Sequence, residues 1–131
     1  MCNDNALPAF REGLPVKIQR WRKTLILDSS LVRVRYEGAA AFTEKPARFS
    51  LSEFKSVELL KQTMRMPRTS ELKILVSVRL LHSHDPDRTL TLASREWGEG
   101  DYAPHRAEPL RRVWHEAAVA LALPAEARFS S

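Results

Sequence analysis

Apolar and polar positions alternate with period two along most of this chain, and the period lengthens to that of a helix only near the end. The clearest alternation is at residues 72–81. There Leu72, Ile74, Val76, Val78 and Leu80 make one unbroken apolar face, and Lys73, Leu75, Ser77, Arg79 and Leu81 make a mixed one. This pattern predicts a strand. The polar HSHDPD at 82–87 predicts a turn, and RTLTLASRE at 88–96 predicts the returning partner.

Earlier in the chain, residues 15–28 read as one extended run in which Leu25 and Leu27 alternate with Thr24, Ile26 and Asp28. Asp28-Ser29-Ser30 is a turn signal. LVRVRY at 31–36 follows, with Val32, Val34 and Tyr36 on the buried face and Arg33 and Arg35 on the wet one, so the two runs predict a hairpin. Gly38 ends it. Residues 41–51 read as an edge or bulged strand broken by Pro46. Residues 51–54 form a short turn that drops Leu51 and Phe54 into the core, and 55–60 form a further short strand. KQTMRMPRTS at 61–70 reads as a basic loop, and WGEGDYAPHRA at 97–107 as a long one.

Residues 109–123, PLRRVWHEAAVALAL, carry Leu110, Val113, Trp114, Ala117, Ala118 and Leu121 at helical spacing. Pro109 suits a first helical turn and Pro124 stops the helix. Arg112 and Glu116, one turn apart, read as a pair on the wet face. A helix this short is marginal alone in water, so its stripe, Trp114 included, must be buried. The expected fold is therefore α+β: a strongly bent antiparallel sheet or partly open barrel of six to seven strands, capped by one C-terminal helix. The expected organisation is a flexible arm at 1–13, a single domain at 14–125 and a C-terminal tail at 126–131.

This layout resembles the pleckstrin-homology-like domains of small bacterial proteins over about residues 15–125. VRYEG followed by ARFSLSEFKSVEL, the hairpin KILVSVRLLHSHDPDRTLTL and the closing helix RRVWHEAAVALALP carry the likeness. The resemblance implies binding of lipid headgroups, peptides or other proteins. It implies no catalysis and no cofactor, and it transfers no site residue.

Charge adds a modest bias. There are 21 Lys and Arg against 16 Asp and Glu, unevenly spread. Residues 11–23 hold Arg11, Lys17, Arg20, Arg22 and Lys23 against Glu12 alone, and residues 61–70 hold Lys61, Arg65 and Arg68 with no acid. No apolar run is long enough to span a bilayer, and the first residues lack a signal-peptide pattern. A single cysteine, Cys2, allows no internal disulfide, which favours a reducing cytoplasm.

Candidate chemistry is sparse. His82, His84, Asp85 and Asp87 have a metal-like look, but the other histidines, His105 and His115, lie far off in sequence, and a solvated turn explains the tract. Cys2 lies in the arm, Ser has no elbow motif, and four glycines provide no phosphate-cradling loop. The expectation is a non-enzymatic module that engages a protein partner, an acidic ligand or an anionic membrane surface. Its candidate contact surface is Lys61, Met64, Arg65, Met66 and Arg68, cations interleaved with soft methionines. The alternative is a nucleic-acid binder using Lys17, Arg20, Trp21, Arg22 and Lys23, an aromatic platform among cations. A strand with a core Trp21 fits that stretch too. Trp97 and Tyr102 read as closing one end of the barrel, with a partner anchor as the other reading.

Overall fold

A computed structural model of the chain describes residues 7–130. The architecture is α+β, with one α-helix among the described residues, α1 (Glu108–Leu121), late in the chain. The first sheet is a meander of β1 (Val16–Arg20), β2 (Lys23–Leu27), β3 (Leu31–Tyr36) and β4 (Ala47–Ser50), paired in that order and antiparallel throughout. The second holds β5 (Phe54–Arg65), β6 (Leu72–His82), β7 (Leu90–Gly98) and β8 (Ala125–Ser130), in the order β7-β6-β5-β8. Its first three strands are antiparallel, and β8 runs parallel to β5.

Two four-stranded sheets thus replace the single bent sheet of six to seven strands, and they do not close into a barrel. The extra strands arise where periodicity is mute. The run at 15–28 folds in two at Trp21-Arg22, where Arg22 takes φ 59°, without the Gly, Asn or Asp that usually marks such a turn. Residues 125–130, expected as the last residue of the domain and a tail from 126 onward, pair their backbone with β5 while every side chain stays exposed, so no apolar alternation announces β8. β5 is also longer than expected: Lys61, Met64 and Arg65 are strand residues, and the connection to β6 is only 66–71.

The alternation places the core. Val16, Ile18, Leu25, Leu27, Val32 and Val34 from the first sheet join Val57, Leu59, Ile74, Val76, Val78 and Leu80 from the second in one buried cluster. Leu110, Val113, Ala117, Ala118 and Leu121 of α1 enter the same cluster, as the stripe requires. Trp114 sits at its margin instead, half-buried, because its indole N–H donates to the Val57 carbonyl at 2.8 Å. Phe10, in the expected arm, is 1% exposed and belongs to the core.

The helix ends before Pro124. Ala122 adopts φ 56°, Leu123 N–H donates to the Ala118 carbonyl at 3.0 Å, and Ala122 N–H reaches that of Val119 at 3.2 Å, a Schellman closure without glycine. The ion pair on the helix joins Arg111 to Glu108 at 3.0 Å rather than Arg112 to Glu116. Among the described residues, no helix is long and apolar enough to cross a membrane.

Candidate functional site

Strands β1 to β4 contain Lys17, Arg20, Lys23, Arg33, Arg35 and Arg48 and no acidic residue. Register decides which of these cations share a face. Lys17 lies opposite Ile26, Ile26 opposite Arg33, and Arg33 opposite Arg48. The four make one row across the sheet, on the face away from the core, with Lys17, Arg33 and Arg48 all exposed. Arg35 stands two residues from Arg33 on the same face, 3.7 Å from Glu37. Glu37 also accepts from Gln19 Nε2 at 2.8 Å and Thr24 Oγ1 at 3.0 Å, so this carboxylate ties three strands together at the end of the sheet.

Trp21 and Arg22 form the tight turn between β1 and β2. Trp21 is 82% exposed, which corrects its reading as a core residue, and the Arg22 guanidinium lies 5.1 Å from its ring centre. The Glu37 N–H donates to the Arg22 carbonyl at 2.9 Å and fixes the turn against the end of β3. Arg20 and Lys23 face each other across the hairpin on the opposite side from Lys17. Arg20 reaches across to the second sheet, donating from Nη2 to Ser94 Oγ at 3.4 Å, and partial burial holds its guanidinium below the usual arginine range. The five residues of the 17–23 stretch therefore divide between one sheet face, the turn and the other face.

The five of the 61–68 stretch divide as well. Lys61 and Arg65 share one face of β5, and Met64 lies on the other, opposite Lys73. Lys61 Nζ sits 4.9 Å from the Tyr102 ring centre, and Arg65 Nη1 donates to the Ser70 carbonyl at 3.2 Å. Met66 and Arg68 line an open cleft of about 400 Å³ with Pro67, Thr69, Glu71 and Lys73.

The second sheet neutralises much of its own charge. Glu58, 4% exposed, lies 3.2 Å from Arg79 Nε and 3.6 Å from Arg128 Nε, and Lys73 pairs with Glu96 at 3.3 Å. The Glu58 to Arg79 contact is an ion pair at poor hydrogen-bond angle, which leaves Oε1 and Nε without a formal hydrogen bond though close to opposite charge. No comparable pairing occurs at Lys17, Arg33 or Arg48 among the described residues.

The HSHDPD tract is not wholly a solvated turn. His82 ends β6 and is 7% exposed. Its Nδ1 accepts from the backbone N–H groups of His84 at 3.2 Å and Asp85 at 3.0 Å, so Nε2 carries the proton and donates to Glu53 Oε1 at 3.3 Å. Its ring packs edge-on against Phe54 and Phe49, centres 5.4 and 6.4 Å apart. The Ser50 backbone N–H, then the His82 hydrogen bond, hold the Glu53 carboxyl below the usual range, and the Arg88 charge adds to them. Both nitrogens of His82 are engaged, and the cluster braces the junction of β4, β5 and β6. Asp85 accepts from the Asp87 N–H at 3.0 Å and pairs with Arg88 at 3.4 Å. Among the described residues, no group of three or more His, Cys, Asp or Glu is placed to hold a metal ion. Cys2 lies outside the described residues. Trp97 and Tyr102 meet edge-on, centres 5.5 Å apart, both packed on the core.

Reading the chain in order misses Arg48 as a partner of Arg33. Arg33 and Arg35 show as wet positions in LVRVRY, but Arg48 follows Pro46 in an irregular stretch and joins the row only through the β3–β4 register. No protein-family model, no curated protein and no solved structure matches the chain.

Proposed function

We propose that this chain is a non-enzymatic binding module of pleckstrin-homology-like fold, and that the outer face of its first sheet engages an anionic partner, an acidic protein surface or an anionic lipid headgroup. The observation that carries this reading is the row Lys17, Ile26, Arg33, Arg48. Like charges directly opposite on neighbouring strands destabilise a sheet, and Arg33 and Arg48 are so placed. A bound anion would remove that penalty, and arginines recognise phosphate and carboxylate oxygens in a fixed fork geometry. The fold reading draws support from the two meandering sheets and the late helix that fills their shared core.

The test is co-sedimentation with phosphatidylserine vesicles and retention on immobilised polyglutamate, each at low and high salt. Binding to at least one probe, weakened by salt and lost in the Arg33→Glu/Arg48→Glu variant, is expected. Binding to neither, or binding that survives the double charge reversal, overturns the proposal.

A second reading has its own observation. Trp21 is 82% exposed with Arg22 over its ring, which suits stacking of an unpaired base. On that reading Trp21→Ala weakens binding of a single-stranded oligonucleotide about fivefold or more, since a stacked base contributes roughly 1–3 kcal/mol. A flat titration of the unmodified protein at low salt dismisses it.

A further inference from the structure

We propose that β8 is a self-association edge, and that two copies of this chain join by pairing β8 antiparallel with its own counterpart about a twofold axis at Ala127. The strand is anomalous as a single-chain element. All six of its residues are exposed, so it buries no side chain on either face of the sheet, and Phe129 is 74% exposed. It is also the last strand of its sheet, with one edge on β5 and the other open among the described residues. An open edge offers a row of unpaired N–H and C=O groups to another strand.

The backbone directions limit the registers in which this edge is self-complementary, and the number of rungs, together with the side-chain pairing, selects one of them. The Pro124 carbonyl accepts from the Val57 N–H at 2.9 Å, so the peptide groups of Pro124 point at β5. Strand peptide groups alternate in direction, so those of Glu126 and Arg128 also turn to β5, and those of Ala125, Ala127 and Phe129 turn outward. An antiparallel pair hydrogen-bonds only where outward residues meet outward residues. Placing Ala127 opposite Ala127 of the second copy achieves this at three rungs, with Ala125 opposite Phe129 on either side. The same register sets Glu126 opposite Arg128 of the second copy, twice by symmetry, at the closer non-hydrogen-bonded positions. Arg128 is 60% exposed at its side chain, so it retains donors beyond its contact with Glu58. Phe129 falls over the small Ala125 of the second copy, on the same face. The result is a continuous eight-stranded sheet across the dimer, an isologous arrangement that closes on itself.

The test uses the full chain in two measurements. Sedimentation equilibrium from micromolar to millimolar concentration should show twice the 15.0 kDa mass of one chain at the upper end. Cysteine variants, in a Cys2→Ser background, then read the register. In this pairing the two residues at 127 have Cα atoms about 5.5 Å apart. The two at 125 are more than about 13 Å apart at the strand rise of about 3.3 Å per residue, beyond the reach of about 7 Å that a disulfide tolerates. Ala127→Cys should therefore oxidise to a covalent dimer, Ala125→Cys should not, and a mixture of Ala125→Cys with Phe129→Cys should give the mixed dimer. A chain that stays monomeric at millimolar concentration overturns the proposal. So does a dimer that cross-links as readily through 125 alone as through 127, or not at all through 127.

Discussion

Single residues hold two backbone positions that a different side chain would hold more easily. Ala122 closes the helix at φ 56° and is exposed, so its methyl has a steric cost and no compensating contact. Ala122→Gly should raise stability by about 1 kcal/mol, read as a higher denaturant midpoint with an unchanged slope. Arg22, at φ 59°, is in the same position at the hairpin turn, but its guanidinium also covers Trp21. Glu53 links residue chemistry to solution conditions. Its carboxyl titrates lower in the folded chain than in the unfolded one, chiefly through the Ser50 N–H and His82. A depressed carboxyl contributes stability that is complete above the ordinary glutamate range and is lost as pH falls through the folded value. Melting temperature should thus fall less steeply on acidification in Glu53→Gln than in the unmodified chain.

At the scale of elements, charge is treated differently by the two sheets. In the second, Glu58 is buried between Arg79 and Arg128, and removing Arg79 leaves its carboxylate with only the longer contact to an exposed guanidinium. Arg79→Met should cost about 3 kcal/mol or more, with much of the loss recovered in Glu58→Met/Arg79→Met, measured by chemical denaturation of both variants. In the first, Arg33 faces Arg48 with no acid between them. Arg48→Gln should raise stability by roughly 0.2–1 kcal/mol at low salt, and the gain should shrink as salt screens the pair. A stabilising effect of that sign marks Arg48 as retained for something other than folding. Element types were legible for β3, β6 and α1, where one face is buried and the other is exposed or, in β6, mostly half-buried, so periodicity reports on burial. They were illegible for β8, whose residues are exposed on both faces and which is held by backbone pairing with β5 and by polar contacts of Glu126 and Arg128 rather than by apolar burial.

Over the whole molecule, a net charge of +5 says little by itself. Its distribution says more, because the first sheet exposes a row of cations and the second pairs several of its own. Association with an anionic surface should therefore be oriented. Spectroscopic probes on β1 to β4 should change environment on binding, and probes near Met66 and Arg68 should not. The contact surface expected in the sequence, Lys61 to Arg68, is spread over both faces of β5 and the following turn. Lys61 and Arg65 already have intramolecular partners in Tyr102 and the Ser70 carbonyl. Lys61 and Arg65 share a face of β5, Met64 leaves on the other, and Met66 and Arg68 lie in the connection to β6, so neighbours in sequence do not all share one surface.

The order of apolar and polar residues was enough to determine an α+β chain with a late amphipathic helix, the inner faces of β3 and β6, and the burial of Leu110, Val113, Ala117, Ala118 and Leu121. Each of these follows from a local period that matches the geometry of the element. Tertiary structure alone decided that two sheets form, that Arg33 and Arg48 meet, that His82 is buried while the turn after it is half-buried or exposed, and that 125–130 completes a sheet edge. Those outcomes depend on which strand lies beside which. Pairing between strands far apart in sequence is set by backbone hydrogen bonds that every residue type offers alike.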